Sequence, residues 1–452
     1  MSDISMYMTS PTRPIAAAEV RASVGLDEAA RQELKKSIHD ELIRRMDLIK
    51  LSAIQADDVA GRQRLLVVIL QLIGEQSAPL SAPDRDRLAH DILNEVFGLG
   101  PLEPLLQDPT VSDILVITYK TVYVERRGVI EETNISFKDE AHLMHIIDKI
   151  VSAVGRRIDE SSPMVDARLL DGSRVNIVIP PLAVDGPLLS IRRFGATPLT
   201  SDDLMRHNAL TPAMLEILRS AVRARLNIVI SGGTGSGKTT LLNVLSGFIS
   251  SAERIVTIED SAELQIKQKH VARLECRPAN LEGKGAIRQR ELVINALRMR
   301  PDRIILGEVR GEEALDMLQA MNTGHDGSIT TVHANNPRDA IARIGTMAMM
   351  GSITLPEKAI RAQIASAVDL IVQVARMSDG TRRVTHISEI TGVSGDIVSI
   401  QDICLFEKLG LGPSGGVRGR FYSTGVVPKF SERLQAAGIP LSPNLLDYSL
   451  DV

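Results

Sequence analysis

Aromatic side chains are scarce in this sequence, which has no tryptophan and only 3% Phe, Trp and Tyr together. Channels that thread single-stranded nucleic acid normally combine aromatic stacking platforms with a basic groove. An excess of positive charge is also missing, because the formal net charge at pH 7 is −4. The composition therefore argues against a nucleic-acid-threading protein, and any contact with nucleic acid or anionic lipid has to be local.

Cysteines and long apolar runs are equally scarce. Cys276 and Cys404 are too few for a disulfide framework or a four-ligand zinc site, which fits a reducing compartment. The longest apolar run, 65–73, contains Gln71 and is far shorter than the roughly 20 residues that span a bilayer. The N-terminus lacks the basic and then apolar stretch of a secretory signal. We therefore predict a cytoplasmic protein that meets a membrane only through partners.

Pattern changes along the chain predict several domains. They are a polar, proline-punctuated lead-in (1–30), a helical bundle (31–97), a mixed α/β domain (98–194), a linker (195–209) and a domain of alternating strands and helices (210–452). Alternating strands and helices are typical of a doubly wound, largely parallel sheet. The glycine- and serine-rich stretch 408–425 predicts an irregular surface segment.

The predicted elements in the first half are short. Apolar residues at helical spacing predict helices over 65–73, 88–97 and 142–154. Short β-branched runs at 114–117 and 122–124 predict strands.

The strongest motif is Gly232-Gly-Thr-Gly-Ser-Gly-Lys238-Thr239, a full match to G-x-x-x-x-G-K-[ST] between a predicted strand and a predicted helix. Glycines let successive N–H groups point at phosphates, and the following helix presents its positive end to the same charge. Lys238 is expected to reach the β- and γ-phosphates of ATP, and the Thr239 hydroxyl to ligate Mg²⁺. The predicted nucleotide-binding residues are Gly232, Gly233, Thr234, Gly235, Ser236, Gly237, Lys238, Thr239 and Thr240.

An acidic turn follows the next predicted strand, 255–258. Glu259 and Asp260 then fall at the carboxyl edge of a parallel sheet, where ligands gather. Carboxylates there hold metal-bound waters or polarise an attacking water, and the alternative is an ordinary strand end. We assign Thr239, Glu259 and Asp260 as the candidate Mg²⁺ residues.

The strand over 303–308 resembles a Walker B segment, but its usual acidic position holds Gly307 and the carboxylate comes one residue later, at Glu308. Glu308 is therefore the candidate residue that orients or deprotonates water.

A second glycine-punctuated stretch, 323–335, contains His325 and His333 at opposite ends of a short predicted strand. Neither histidine has the neighbouring ligands of a metal site. The favoured role is reading the γ-phosphate or linking the nucleotide to a neighbouring subunit.

These four motifs follow one another as in the type II/IV secretion ATPase superfamily, which the chain resembles over about residues 88–393. Further stretches look like the tight-adherence (Tad/Cpa) pilus branch: 98–106, 122–126, 155–159, 166–169, 171–175 and 190–194. Secretion members with a tetracysteine zinc module differ from this chain. In the stretch 115–120, an Asn-Gly-like turn is more usual for the branch.

The resemblance implies an α/β protein with a RecA-like P-loop motor domain, a smaller α+β PAS-like N-terminal domain and an N-terminal helical segment. It also implies a cytoplasmic homohexamer that binds ATP between the two domains and works on inner-membrane platform proteins to drive pilus assembly, retraction or secretion. The arginines expected to reach the phosphates match Arg174, Arg192 and Arg193, which are otherwise salt-bridged surface residues. The candidate catalytic set is Glu308, Lys238, Arg174, Arg192, Arg193, His325 and His333.

Two other functions remain open at this point. One is a RecA-like ATPase that translocates nucleic acid, with the basic stretch 284–310 as its groove. The other is a nucleotide-sensing scaffold without useful turnover, against which the presence of both Lys238 and Glu308 argues.

Overall fold

The computed structural model describes residues 28–45, 59–76, 80–126, 128–193, 198–279, 284–351, 355–413 and 415–452. Contacts divide the chain into a first unit, made of residues up to 108 together with 135–149, and a second unit, made of 109–134 and 150–452. The predicted lead-in lies outside the described residues except for its last three, which belong to the first helix. Residues 195–197 of the predicted linker also lie outside them.

The first unit is helical. Its helices are α1 (Glu28–Arg45), α2 (Val59–Glu75), α3 (Ala82–Phe97), the short α4 (Glu103–Gln107) and most of α5 (Glu140–Ala153). The predicted helices over 65–73, 88–97 and 142–154 are thus confirmed. Helices α1 to α3 pack through fully buried aliphatic side chains such as Ile38, Ile69 and Ile92.

An ion-pair cluster joins helices of this unit. The Glu95 carboxylate pairs with Lys35, and its Oε1 lies 2.5 Å from His142 Nε2. Burial alone would raise the pKa of Glu95, but His142 and Lys35 outweigh it and lower the pKa to about 2. Lys149 Nζ donates to the carbonyls of Val96 and Gly98 at 3.1 and 2.7 Å, so the end of α3 is held to α5.

A smaller antiparallel sheet lies in the second unit, with strand order β3-β2-β1-β6-β5-β4. Its strands are β1 (Val111–Thr118), β2 (Thr121–Arg126), β3 (Val129–Glu132), β4 (Met164–Arg168), β5 (Arg174–Val178) and β6 (Leu188–Arg192). The strands predicted at 114–117 and 122–124 are confirmed. Alternate residues of the central strands are buried, so one face is apolar and the other carries charged side chains. A PAS-like fold for this domain stays a prediction.

The larger sheet has ten strands in the order β16-β15-β14-β13-β12-β7-β11-β10-β8-β9. The strands are β7 (Ile228–Gly232), β8 (Ile255–Glu259), β9 (Val271–Glu275), β10 (Arg303–Val309), β11 (Ile329–Val332), β12 (Leu370–Arg376), β13 (Arg382–Ser394), β14 (Ile397–Leu411), β15 (Val417–Ser423) and β16 (Ser449–Asp451). The six strands from β12 to β9 pair in parallel, whereas β12 to β16 pair in antiparallel fashion. The prediction of a largely parallel sheet thus holds for six of the ten strands, and the C-terminal four add an antiparallel extension.

Two apolar cores flank this sheet. Helices α6 (Ser201–Arg206), α7 (Pro212–Arg223) and α8 (Lys238–Ser246) supply one core, together with buried side chains of the C-terminal strands and of α13 (Ser431–Ala436). Helices α9 (Gln289–Ala296), α10 (Glu313–Asn322), α11 (Pro337–Ala348) and α12 (Glu357–Ala367) supply the other. None of the helices in the described ranges is both long and apolar enough to span a bilayer.

The expectation of an irregular segment over 408–425 is wrong. Strands β14 and β15 cross this stretch as an antiparallel hairpin, and Phe421 is completely buried. A Cβ at Gly419 would lie 2.2 Å from Cζ of Phe406, so this glycine makes room for an aromatic ring within the sheet. A glycine that looked like a loop residue is a packing residue.

Candidate functional site

The glycine-rich loop follows β7, a strand whose five residues are all buried. Gly235 and Gly237 have φ values of 67° and 96°, which favour glycine, and Gly237 precedes the first turn of α8. A Cβ at Gly232 would lie 2.4 Å from the carbonyl oxygen of Val374, on the neighbouring strand β12. The sequence thus forms a tight turn at a helix N-terminus, which is the geometry that binds phosphate.

Lys238 lies at the mouth of this loop. Its Nζ donates to the carbonyls of Gly232 and Gly233, both at 3.0 Å, and lies 3.3 Å from His333 Nε2. The residue is only 8% exposed, and burial lowers the pKa of the ammonium group. The ammonium is therefore held by neutral acceptors that an incoming phosphate can replace.

Glu308 lies at the end of β10 and engages two cationic or polar neighbours. Its Oε1 is 2.9 Å from His333 Nε2, and its Oε2 accepts from Arg310 Nη2 at 2.7 Å. Burial lowers the pKa of His333, and the charges of Lys238 and Arg310 lower it further against the effect of Glu308. A neutral His333 with its proton on Nε2 donates to Glu308, which orients the carboxylate at the mouth of the loop.

The two predicted acidic residues at the end of β8 differ in their surroundings. Glu259 is 3% exposed, and its Oε2 accepts from the backbone N–H groups of Glu263 and Leu264 at 2.7 and 2.8 Å. Its Oε1 has no partner among the described residues, and burial raises the pKa of this carboxyl group. Asp260 is exposed, and its Oδ2 lies 3.3 Å from Arg310 Nη1.

The three predicted arginines line one cleft of about 250 Å³ together with Thr239 and Thr240 of α8. Arg174 and Arg192 are cross-strand partners on β5 and β6. Each has a carboxylate partner: Arg174 Nη1 lies 2.8 Å from Glu263 Oε1, and Arg192 Nε lies 3.1 Å from Asp113 Oδ1.

Arg193 follows directly after β6 and is tied to the backbone of β1. Its N–H donates to Ser112 O at 2.8 Å, and its Nη1 donates to Val111 O at 3.3 Å. The small sheet therefore presents three guanidinium groups to the helix that begins at the glycine-rich loop.

His325 was predicted as a site residue, but it does not lie near the glycine-rich loop. It precedes β11, whereas His333 follows that strand, so the two imidazoles lie at opposite edges of the sheet. The loop residues, Glu259, Glu308 and His333 all lie at the carboxyl edge of the parallel strands. Within the described ranges, no group of three or more His, Cys, Asp and Glu side chains is arranged to hold a metal ion by itself.

Residues 95–401 match the sequence profile of the type II/IV secretion system protein family. The chain belongs to this family. A Mycobacterium tuberculosis protein named provisionally for conjugal transfer is 40% identical over 68% of this chain and 88% of its own length. The type IV secretion system protein PtlH of Bordetella pertussis is 35% identical over 67% of this chain and 95% of its own length.

A solved structure is also similar in sequence. The VirB11 ATPase of the Brucella suis type IV secretion system, crystallised with sulphate, is 30% identical over 64% of this chain and 95% of that chain. Its TM-score is 0.36, which is too low for a comparison of whole architectures.

Three functional candidates in this secretion-family chain were not predicted: Arg310, Arg376 and Arg382. Arg310 stands two residues after Glu308 and directly after the end of β10, so its nearness to Glu308 in the sequence could have indicated it. Arg376 and Arg382 end β12 and begin β13. Only the pairing of β12 with β7 brings them to the glycine-rich loop, and nothing local in the sequence signals that pairing.

Proposed function

We propose that this chain is a Mg²⁺-dependent ATPase whose homohexameric ring powers pilus assembly or secretion. The observation that carries the proposal is the convergence of Lys238, His333 and Glu308 at the mouth of a glycine-rich loop. The family and the printed names of the relatives, conjugal transfer and type IV secretion, support the process that the hydrolysis drives.

Phosphate binding is assigned to the loop and to Lys238. Backbone N–H groups of residues 233–237 and the N-terminus of α8 bind the phosphates. Lys238 Nζ exchanges the carbonyls of Gly232 and Gly233 for phosphate oxygens, which carry full charge and are better acceptors. This exchange makes the lysine responsive to the presence of the nucleotide.

Water activation is assigned to Glu308. His333 and Arg310 each hold one of its oxygens, and a carboxylate oxygen has a second lone pair for a further bond. Glu308 orients a water molecule for in-line attack on the γ-phosphorus and accepts its proton. His333 and Arg310 act as positioning residues because they fix the direction of that carboxylate.

The oxygen donors near the loop fit Mg²⁺. Glu259 offers a buried oxygen that has no partner in the described part of the chain, and Thr239 and Asp260 supply a hydroxyl and a second carboxylate. These residues would hold the ion together with water and substrate oxygens, and Mg²⁺ would neutralise charge on the β- and γ-phosphates.

The arginines extend the site to the small sheet. Arg174 and Arg192 give up Glu263 and Asp113 to bind phosphate oxygens, while Arg193 adds charge from its place beside β1. Hydrolysis then changes the attraction between the small sheet and α8, so the chemical step is coupled to movement.

We assign residues 210–452 to a RecA-like motor domain and residues 98–194 to a PAS-like N-terminal domain. We assign the chain as a whole to the tight-adherence pilus branch. We further propose that the ring works in the cytoplasm and reaches the inner membrane through platform proteins, without binding nucleic acid. Pilus retraction and export of other substrates use the same chemistry and are distinguished by genetics.

The decisive experiment compares nucleotide binding and hydrolysis in the purified full chain. Lys238→Ala is expected to abolish binding of ATP, whereas Glu308→Gln keeps binding and loses turnover by about 100-fold or more. Glu312→Gln is the matched control, because Glu312 pairs with Arg290 rather than with His333. Sedimentation with nucleotide is expected to give six times the chain mass of 49.1 kDa.

Two results would contradict the proposal. A parent chain that fails to bind ATP would end it, and a Glu308→Gln chain with the parent rate would remove the water-orienting role. ATPase stimulation by single-stranded DNA would favour a nucleic-acid translocase instead.

A further inference from the structure

The β12–β13 hairpin places two like charges directly opposite each other. Arg376 and Arg382 are cross-strand partners at its turn end. Like charges in this arrangement repel and destabilise a hairpin unless an anion or a specific contact compensates. Within the described residues, neither arginine forms an ion pair; their hydrogen bonds go to backbone carbonyls. Asp379 of the same turn accepts from Thr381 and from the N–H of Val417.

Both arginines instead lie beside the glycine-rich loop. Arg382 Nε donates to Gly235 O at 3.3 Å, and its Cγ lies 3.9 Å from the position of a Cβ at Gly237. Arg376 Nη1 lies 3.6 Å from the position of a Cβ at Gly235. Two positive charges without an ion-pair partner among the described residues thus lie beside the loop that is built for phosphate, held there by backbone carbonyls.

The same guanidinium groups contact the small sheet on their other side. Gly128, in the turn between β2 and β3, accepts a hydrogen bond from Arg376 through its carbonyl. A Cβ at Gly128 would lie 3.0 Å from Arg382 Nη1 and 3.5 Å from Arg376 Nη2. The turn, the two arginines and Gly235 therefore form a continuous contact from the small sheet to the loop.

We propose, on the basis of the proposed function, that Arg376 and Arg382 are positioning residues for the nucleotide phosphates. They hold the loop backbone at Gly235 against the β2–β3 turn and add positive potential to the phosphate cradle. The small sheet therefore supports nucleotide affinity at a second place, away from Arg174, Arg192 and Arg193. Because the contact is to the phosphate loop, the support applies to the polyphosphate part of the ligand whatever the base.

The first test measures affinity by calorimetry for a non-hydrolysable ATP analogue and for inorganic tripolyphosphate. Arg376→Gln and Arg382→Gln are each expected to lower the affinity for both ligands about threefold to tenfold. The affinity of each variant should also depend less steeply on salt concentration than that of the parent. Arg382→Lys keeps the positive charge and is therefore expected to bind both ligands more tightly than Arg382→Gln. Arg420→Gln, on β15 and paired with Asp451, is the control that leaves both affinities unchanged.

The second test separates the contact with the turn from the charges. Gly128→Ala adds a methyl group against Arg382 at a φ of 85°, whereas Gly425→Ala meets nothing within 4 Å at a φ of 78°. Both alanines are strained by a positive φ, so they share the backbone effect. Only Gly128→Ala is expected to weaken tripolyphosphate binding.

The outcomes distinguish this inference from the proposed function. If the parent binds both ligands in a Lys238-dependent manner but all the variants bind equally well, the inference is wrong and the proposed function stands. A loss for the ATP analogue alone would also overturn it, since that result means contact with the nucleoside. If the parent binds neither ligand, the proposed function itself fails.

Discussion

Glu259 occupies the space that a side chain at position 307 would need. A Cβ at Gly307 would lie 3.1 Å from Cγ of Glu259 and 3.6 Å from its Cβ. The two residues stand on neighbouring parallel strands, β8 and β10, paired through Ile258 and Leu306 just before them. The carboxylate at this place in the sheet therefore comes from β8, which explains why β10 has glycine there and carries its own carboxylate at Glu308.

A methyl group at position 307 tests this relationship. Gly307→Ala is expected to push Glu259 away from the N–H groups of Glu263 and Leu264 and to cost about 1–3 kcal/mol in the free energy of unfolding. ATP hydrolysis is expected to fall as well. The control is Gly345→Ala in α11, where the new Cβ meets Ile364 at an ordinary 3.8 Å. Urea unfolding measures both variants, and a Gly307→Ala chain as stable and active as the parent would contradict the packing account.

The pH dependence of His333 follows from its surroundings. Burial and the nearby charges of Lys238 and Arg310 lower its pKa, so it stays neutral at pH values where an ordinary histidine, with a pKa of about 6.5, is half protonated. Protonation of His333 is therefore expected to lower kcat/KM only below about pH 6.5. Arg310→Gln removes a cation that lowers the pKa and should shift this decline to higher pH.

Histidine NMR titration checks this assignment. The His333 signal is identified by its loss in His333→Ala, and its midpoint is compared between the parent and Arg310→Gln. Arg290→Gln is the matched control, because Arg290 pairs with Asp316 and Glu312 and is not among the charges that act on His333. A parent His333 that titrates above the ordinary value would show that the attraction of Glu308 dominates instead.

Local motifs predicted the carboxyl edge of the sheet well. The loop at 232–239 and the strands before Glu259 and Glu308 were recognisable because each signal lies within about ten residues. Parallel strands then bring their carboxyl ends together, so the meeting of Lys238, Glu308 and His333 follows from the pattern once the strands are adjacent.

The features that the sequence did not predict depend on tertiary packing. The glycines of 408–425 indicated a loop, yet Gly419 is required by the ring of Phe406 within a hairpin. Arg376 reaches the glycine-rich loop only because β12 lies beside β7. It contacts Gly128 although it lies 248 positions further along the chain.

 Separations of that size leave no local signal, so the contact of Gly128 with Arg376 and Arg382 is visible only in the folded chain.

The three arginines of the cleft differ in their partners, and substitution tests each of them. Arg174→Gln, Arg192→Gln and Arg193→Gln each remove one positive charge from the cleft shared with Thr239. Each is expected to weaken binding of a non-hydrolysable ATP analogue about threefold to tenfold, and less at high salt. Arg168→Gln is the control, because Arg168 pairs with Glu275 and is outside the residues that line this cleft. If all four variants bind the analogue as tightly as the parent does, the three arginines are not part of the nucleotide site.

The opposite edge of the sheet is held by a buried ion pair. Arg303 is completely buried, and its Nε and Nη2 donate to the two oxygens of Glu253 at 2.8 and 3.0 Å. Its Nη1 donates to Gly327 O at 3.2 Å. Removing Arg303 leaves the buried Glu253 carboxylate with Arg225 as its remaining cation, so Arg303→Met is expected to cost about 3 kcal/mol in the free energy of unfolding. Nucleotide affinity is expected to stay unchanged, because the pair lies at the amino ends of the strands.

This cost has a defined pH dependence. Burial would raise the pKa of Glu253, but Arg303 and Arg225 outweigh it, so the pKa in the folded chain is lower than in the unfolded chain. A lowered pKa stabilises the fold above the unfolded value of about 4.3, and this contribution is lost as the pH falls through the folded value. The stability difference between the parent and Arg303→Met is therefore full at pH 7 and shrinks below about pH 4.3.

Arg361→Met, which breaks the surface pair with Glu357, should cost about 0.5 kcal/mol or less. Urea unfolding at several pH values measures both variants, and an Arg303→Met cost no larger than the Arg361→Met cost would show that the buried pair contributes little to the stability of the sheet.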